Sequence, residues 1–143
     1  MDNFSDSVMV ALLPTTTDWC KTPLPHMTLV YCGTVDSLSI GQRNELTKLA
    51  LDMAMTCSPM TIPVTGVEHF GDEGDVEVLT LEPIPQLLAM RSVFEDWNAS
   101  EFSFSPHCTV GPVGSASSDT PRDLTFDRIC VCWGDEQTPF KML

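Results

Sequence analysis

Basic residues are scarce in this chain. Lysine and arginine number 7 against 20 aspartates and glutamates, a formal net charge of −13. Duplexes and long RNA are held by basic surfaces that release counterions. The balance therefore argues against a duplex or long-RNA platform and leaves room for a small anionic ligand held by local donors. Long apolar runs are also missing. None reaches the roughly eighteen residues of a membrane-spanning helix, so no membrane partner is expected. Met1 to Ser7 is polar and acidic, without the basic start and apolar core of a secretion signal. The expected location is cytoplasmic.

The six cysteines include no Cys-x-x-Cys pair. They lie mostly among apolar residues and read as reduced, partly buried thiols rather than a disulfide framework. Cys130 and Cys132 share one strand face, but no second ligand pair is spaced to complete a tetrahedral metal site. No metal and no cofactor is expected. A length of 143 residues with 43% hydrophobic content fits one folded domain.

Histidine is rare, with 3 in the chain. Two of them sit in one repeated pattern: Pro25-His26-Met27-Thr28-Leu29 and Pro106-His107-Cys108-Thr109-Val110. Each copy reads as the start of a β-strand. Strand side chains alternate, so each histidine shares a face with the threonine two residues on. Cys108, between them, points the other way. Two copies facing each other form a cleft with two imidazoles and two hydroxyls. Imidazole changes charge near neutral pH, which suits a base and an acid on opposite sides of a phosphate. Hydroxyl donors can stabilise the added charge on its oxygens.

In chain order, Val8–Leu13 is an apolar run that reads as a central strand buried on both faces. A loop over 14–25 carries Trp19 and Lys21. The first motif strand follows, from His26 to Cys32. Ser39 and Gln42 resemble a capping box for a helix over 39–56, with Leu46, Leu49, Ala50 and Met53 at helical spacing. Residues 60–70 and 76–82 read as a hairpin around an acidic turn, with Pro63 and Gly66 marking an edge or bulge. Pro85 opens a second helix, whose apolar stripe is Leu87, Met90, Phe94 and Trp97. The second motif strand runs from His107 to about Val113. Gly114–Arg122 is a serine-rich loop. Thr125–Trp133 is the last strand, and the tail over 134–143 packs Phe140. His69 reads as a surface histidine. Trp19 and Tyr31 are candidate stacking platforms for a base, and Lys21 is a candidate phosphate contact. Arg91 on the second helix and Arg122 in the serine-rich loop are lesser candidates for the same contact. The element order predicts a two-lobed α+β domain over 1–143, with lobes of about 8–70 and 76–133.

Paired His-x-Thr motifs about eighty residues apart resemble the 2H phosphoesterase superfamily of 2'-5' RNA ligase-like proteins and cyclic phosphodiesterases. The run Pro25 to Gly33 is similar to compact phage-encoded members, including viral anti-CBASS nucleases. The resemblance implies antiparallel sheets around a central cleft, with the two main helices outside. It implies metal-independent phosphodiester chemistry with His26 and His107 catalytic and Thr28 and Thr109 on the phosphate. The implied substrate is a small nucleotide: a cyclic nucleotide, a cyclic oligonucleotide or an RNA end. For a viral member the setting is the host cytoplasm, in defence against cyclic-oligonucleotide immunity. Two alternatives remain open: an RNA 2',3'-cyclic phosphodiesterase or 2'-5' ligase, and a non-catalytic nucleotide-binding or virion module.

Overall fold

The strand over Val8–Leu13 forms at the centre of the molecule. A computed structural model describes residues 6–22, 25–71, 73–101, 103–115 and 120–143. In it β1 (Ser7–Pro14) pairs antiparallel with β2 (Met27–Thr34) on one side and β6 (Asp123–Trp133) on the other. Val8, Val10 and Leu12 join the main core, while Ala11 and Leu13 join a second, smaller cluster with Cys130 and Cys132. Burial on both faces explains the unbroken apolar run.

The remaining elements follow in order. α1 (Ile40–Thr56) starts at Ser39, whose hydroxyl accepts from the Gln42 N–H at 3.1 Å. The Gln42 side chain accepts from the Ser39 N–H at 2.8 Å, which completes the capping box. β3 (Met60–Phe70) and β4 (Val76–Leu81) form the hairpin, with one extra residue at Thr65 where Gly66 marks a bulge. α2 (Pro85–Val93) has Pro85 in its first turn. The expected apolar stripe outlasts the helix: Phe94 is buried, but Trp97 lies on a separate 3-10 turn, Glu95–Trp97. β5 (His107–Pro112) carries the second motif.

The tail corrects the sequence reading. β7 (Glu136–Lys141) pairs along β6 from Arg128↔Lys141 to Trp133↔Glu136. Its sequence, Glu-Gln-Thr-Pro-Phe-Lys, has no apolar alternation because it is an edge strand, where proline is also tolerated. Phe140 does pack against the main core.

The sheet order is β1-β2-β5-β4-β3-β6-β7, and the β6–β1 pairing closes the first six strands on themselves. The pairings cut across the chain-order division into 8–70 and 76–133. β3 is bonded to β4 and β4 to β5, whereas β1 is bonded to β2 and β6. A hairpin connection keeps β3 beside β4, so β3 leaves the strands that precede it. Leu46, Ala50 and Ala54 of α1 and Leu87 and Met90 of α2 all enter the main core. Both helices therefore pack their buried residues against the same face of the sheet. Among the described residues, no helix is long and apolar enough to cross a membrane. Parts of the two motif-flanking loops, residues 23–24 and 116–119, and residue 72 of the acidic turn lie outside the described residues.

Candidate active site

The two pentapeptides meet at one residue pair. β2 and β5 run antiparallel, and Met27 lies opposite Cys108. Both side chains are 0% exposed and belong to the main core. One step along each strand turns the side chains to the other face. Thr28 then lies opposite His107, and His26 opposite Thr109. All four are half-buried, on the face opposite the core residues Met27 and Cys108. Diagonal neighbours on one face of an antiparallel pair lie about 7–8 Å apart, which leaves room for a phosphate between two imidazoles. His26 stands immediately before β2 rather than inside it.

His107 is fixed by two contacts. Its Nδ1 lies 2.7 Å from the Ser105 carbonyl oxygen. A neutral ring in this contact carries its proton on Nδ1 and keeps the Nε2 lone pair free. The Phe70 ring tilts against the imidazole, 4.6 Å between centroids at 60°. Thr28 Oγ1 donates to Met9 Sδ at 3.4 Å. A thioether is a weak acceptor, so a phosphate oxygen would take that hydroxyl readily.

Thr28 and His107 open into a cavity of about 840 Å³ that Tyr31, Phe70, Arg91 and Phe104 also line. Tyr31 reaches it through a bulge. Ala11 pairs with Thr28 and Val10 with Val30, leaving Leu29 as the extra residue. Leu29 and Val30 are both buried in the core, and Tyr31 is turned back to the face of Thr28. Strict alternation from His26 would send Tyr31 into the core. Asn98, Ser100 and residues 103–105 form the far wall. Ala99, between Asn98 and Ser100, is tied to β2 by its N–H on the Tyr31 carbonyl at 2.8 Å.

The other predicted site residues lie elsewhere. His26 and Thr109 share the face but do not line this cavity. Trp19 packs against the main core, and its Nε1 donates to the Thr16 carbonyl at 2.7 Å. The indole is thus used by its own loop. Lys21 is exposed, and its backbone N–H donates to the Val110 carbonyl at 2.8 Å. This clips the loop beside β5, next to Thr109, without bringing Lys21 to the cavity. His69 is 51% exposed, as a surface histidine should be, but its Nε2 is 3.3 Å from the buried Glu77 carboxylate. Phe70 and Phe104 are cavity residues that the motifs do not reveal. Arg91, a lesser candidate for phosphate contact in the sequence, does reach the cavity, where it pairs with Glu95 one turn on.

All six cysteines are free thiols. Burial pushes Cys32 up to about 12 and raises Cys108 further. Cys108, between His107 and Thr109, is thus an inert core thiol, as its strand position predicts. Among the described residues, no three His, Cys, Asp or Glu side chains group at metal-binding distances.

Comparison with known proteins bears on the family and the fold. A family model described as the 2'-5' RNA ligase superfamily matches residues 20–140. A comparison with curated proteins gives no match. Among solved structures, TT0787 of Thermus thermophilus is similar at a TM-score of 0.65 and 14% identity, covering 95% of this chain and 97% of that one. Usb1 of Kluyveromyces marxianus is similar at a TM-score of 0.65 and 8% identity, covering 97% and 99%. LigT of E. coli complexed with 3'-AMP is similar at a TM-score of 0.59 and 15% identity, covering 95% of each chain.

Proposed function

The chain belongs to the 2'-5' RNA ligase superfamily, the 2H phosphoesterases that act on phosphodiester bonds, and we propose that it hydrolyses a small cyclic nucleotide or cyclic oligonucleotide with His26 and His107 as the acid–base pair. The carrying observation is the Met27–Cys108 register, which turns both histidines and both threonines to one face. One imidazole takes the proton of the nucleophile, a water or a ribose 2'-hydroxyl. The new P–O bond forms as the bond to the leaving oxygen breaks. The other imidazole gives that oxygen its proton. Thr28 and Thr109 donate hydroxyl hydrogen bonds to the non-bridging oxygens, where charge grows. Acid or base assistance of this kind is worth about 10²–10⁴-fold. On His107 the reacting nitrogen is Nε2, because Nδ1 is engaged with Ser105. Tyr31 offers its ring to a base.

Two observations favour a small substrate. The charge of −13 repels polyanions at long range. The cavity, about 840 Å³, falls within the roughly 300–1,000 Å³ usual for small-molecule sites. LigT, solved with 3'-AMP and with ATP, holds ligands of this class. The similarity of Pro25–Gly33 to compact phage members supports a narrower version, a cyclic-oligonucleotide signal destroyed in viral counter-defence against CBASS. A second reading, an RNA-end 2',3'-cyclic phosphodiesterase or 2'-5' ligase, is favoured by the family match and opposed by the charge.

The test is incubation in EDTA with nucleoside 2',3'-cyclic phosphates, cyclic di- and trinucleotides and RNA ending in a 2',3'-cyclic phosphate. Turnover of a small cyclic substrate, lost in His26→Ala and His107→Ala with folding intact, is the expected result. Turnover of RNA ends alone selects the second reading. Tight binding without product, unchanged in the double histidine variant, makes the protein a binding module and overturns the proposal.

A further inference from the structure

The cavity beside His107 holds a cation that the two-histidine chemistry does not use. Arg91 comes from α2, and its side chain is 17% exposed. The guanidinium carbon lies 4.8 Å from the Phe104 ring centroid. Nη1 donates to Glu95 at 2.8 Å. Glu95 is 61% exposed, so water screens much of that pair. Nε is buried without a hydrogen-bond partner. Apart from His107, Arg91 is the only ionic side chain among the described residues that line the cavity.

These facts fit an anion receptor. A guanidinium has five N–H donors in a planar fork that matches two phosphate oxygens at once. A surface ion pair alone would not need Arg91 withdrawn from water. Stacking on Phe104 holds the fork in one plane before any ligand arrives, which lowers the entropy lost on binding. The phosphate undergoing reaction already has donors, the threonine hydroxyls and the imidazoles on the β2–β5 face. Arg91 lines the same cavity from α2, an element separate from the β2–β5 pair that carries the threonines and imidazoles.

We infer that Arg91 receives a second phosphate of the substrate, so that the site favours a nucleotide with two phosphates over a nucleoside cyclic monophosphate. This rests on the phosphodiester reading of the same cavity. It narrows the substrate to dinucleotide-like molecules, linear or cyclic.

Calorimetric titration with two unreactive ligands, adenosine 3',5'-bisphosphate and adenosine 3'-monophosphate, tests it without requiring turnover. The wild type should bind the bisphosphate roughly tenfold or more tightly. The ratio of the two affinities should fall to about one in Arg91→Met and to an intermediate value in Arg91→Lys. Melting curves check that each variant is folded; should Arg91→Met fail, Arg91→Lys and the wild-type ratio decide. Binding of both ligands without preference in the wild type overturns this inference alone. So does a preference retained in Arg91→Met, or an equal loss on both ligands. Binding of neither ligand by the wild type overturns the nucleotide reading of the cavity as well.

Discussion

Alanine placed in turn at residues 26–28 and 107–109 should separate stability from activity, one residue at a time. Met27 is 0% exposed and lies opposite both Leu12 and Cys108, which are also 0% exposed. Truncating a buried methionine to alanine costs about 2–5 kcal/mol. At about 2.1 cal/mol/K per residue, 143 residues give an unfolding entropy near 0.3 kcal/mol/K. A loss of about 3 kcal/mol therefore lowers Tm by about 10 °C. Met27→Leu keeps the volume and should cost less than about 1.5 kcal/mol. Thr28 and Thr109 are half-buried on the opposite face. Their alanine variants should stay within about 1 kcal/mol, or about 3 °C. Activity should follow the reverse order. Met27→Ala should turn over substrate at temperatures where it is folded, while the variants at 26, 28, 107 and 109 should not. Scanning calorimetry paired with turnover below every Tm reads both quantities. A Met27→Ala melting point within about 2 °C of wild type, or Thr28→Ala melting as low as Met27→Ala, would mean that the faces are assigned the wrong way round.

Further outcomes follow from the residues around the motifs. Gly111 has φ +150°, and a Cβ there would lie 2.8 Å from Ser115 Oγ and 3.2 Å from Ser115 Cβ. Gly111→Ala should therefore destabilise by about 2–4 kcal/mol in urea unfolding, and adding Ser115→Gly should restore only the steric part. The thiol of Cys32, raised to about 12, should be about one part in ten thousand thiolate at pH 8. Thiolate is the nucleophile, so labelling should rise with pH. In the folded protein, a thiol reagent at pH 8 should leave Cys32 and Cys108, both buried and both raised, unreacted, and in urea all six cysteines should react. Fast native labelling of Cys108 would contradict its core position.

Local chemistry was legible in the sequence wherever a single element carried its own signal. Ser39 and Gln42 capped α1 as expected. The Val8–Leu13 run marked the central strand, and Pro85 the start of α2. The twin pentapeptides marked the strands that meet. What stayed hidden depends on pairing between distant strands. Leu29 becomes a bulge only because β1 lies alongside it, so the turn of Tyr31 into the cavity cannot be read from β2 alone. β7 borrows its order from β6 and has no apolar pattern of its own. Phe70 and Arg91 reach the cavity through the hairpin and α2, and no local pattern links either of them to His107. Trp19 looked available on its loop, but the loop folds back and binds its indole N–H.

The central claim is that His26 and His107 act together on one phosphodiester. Its most direct test is turnover of one cyclic substrate by the wild type, His26→Ala, His107→Ala and the double variant, at fixed pH and in EDTA. Each single variant should lose about 10²–10⁴-fold in kcat. The double variant should lose little more than the worse single one, because groups acting as a unit are not additive. A single variant that keeps wild-type kcat, or two losses that simply multiply in the double variant, would contradict joint action at one phosphate.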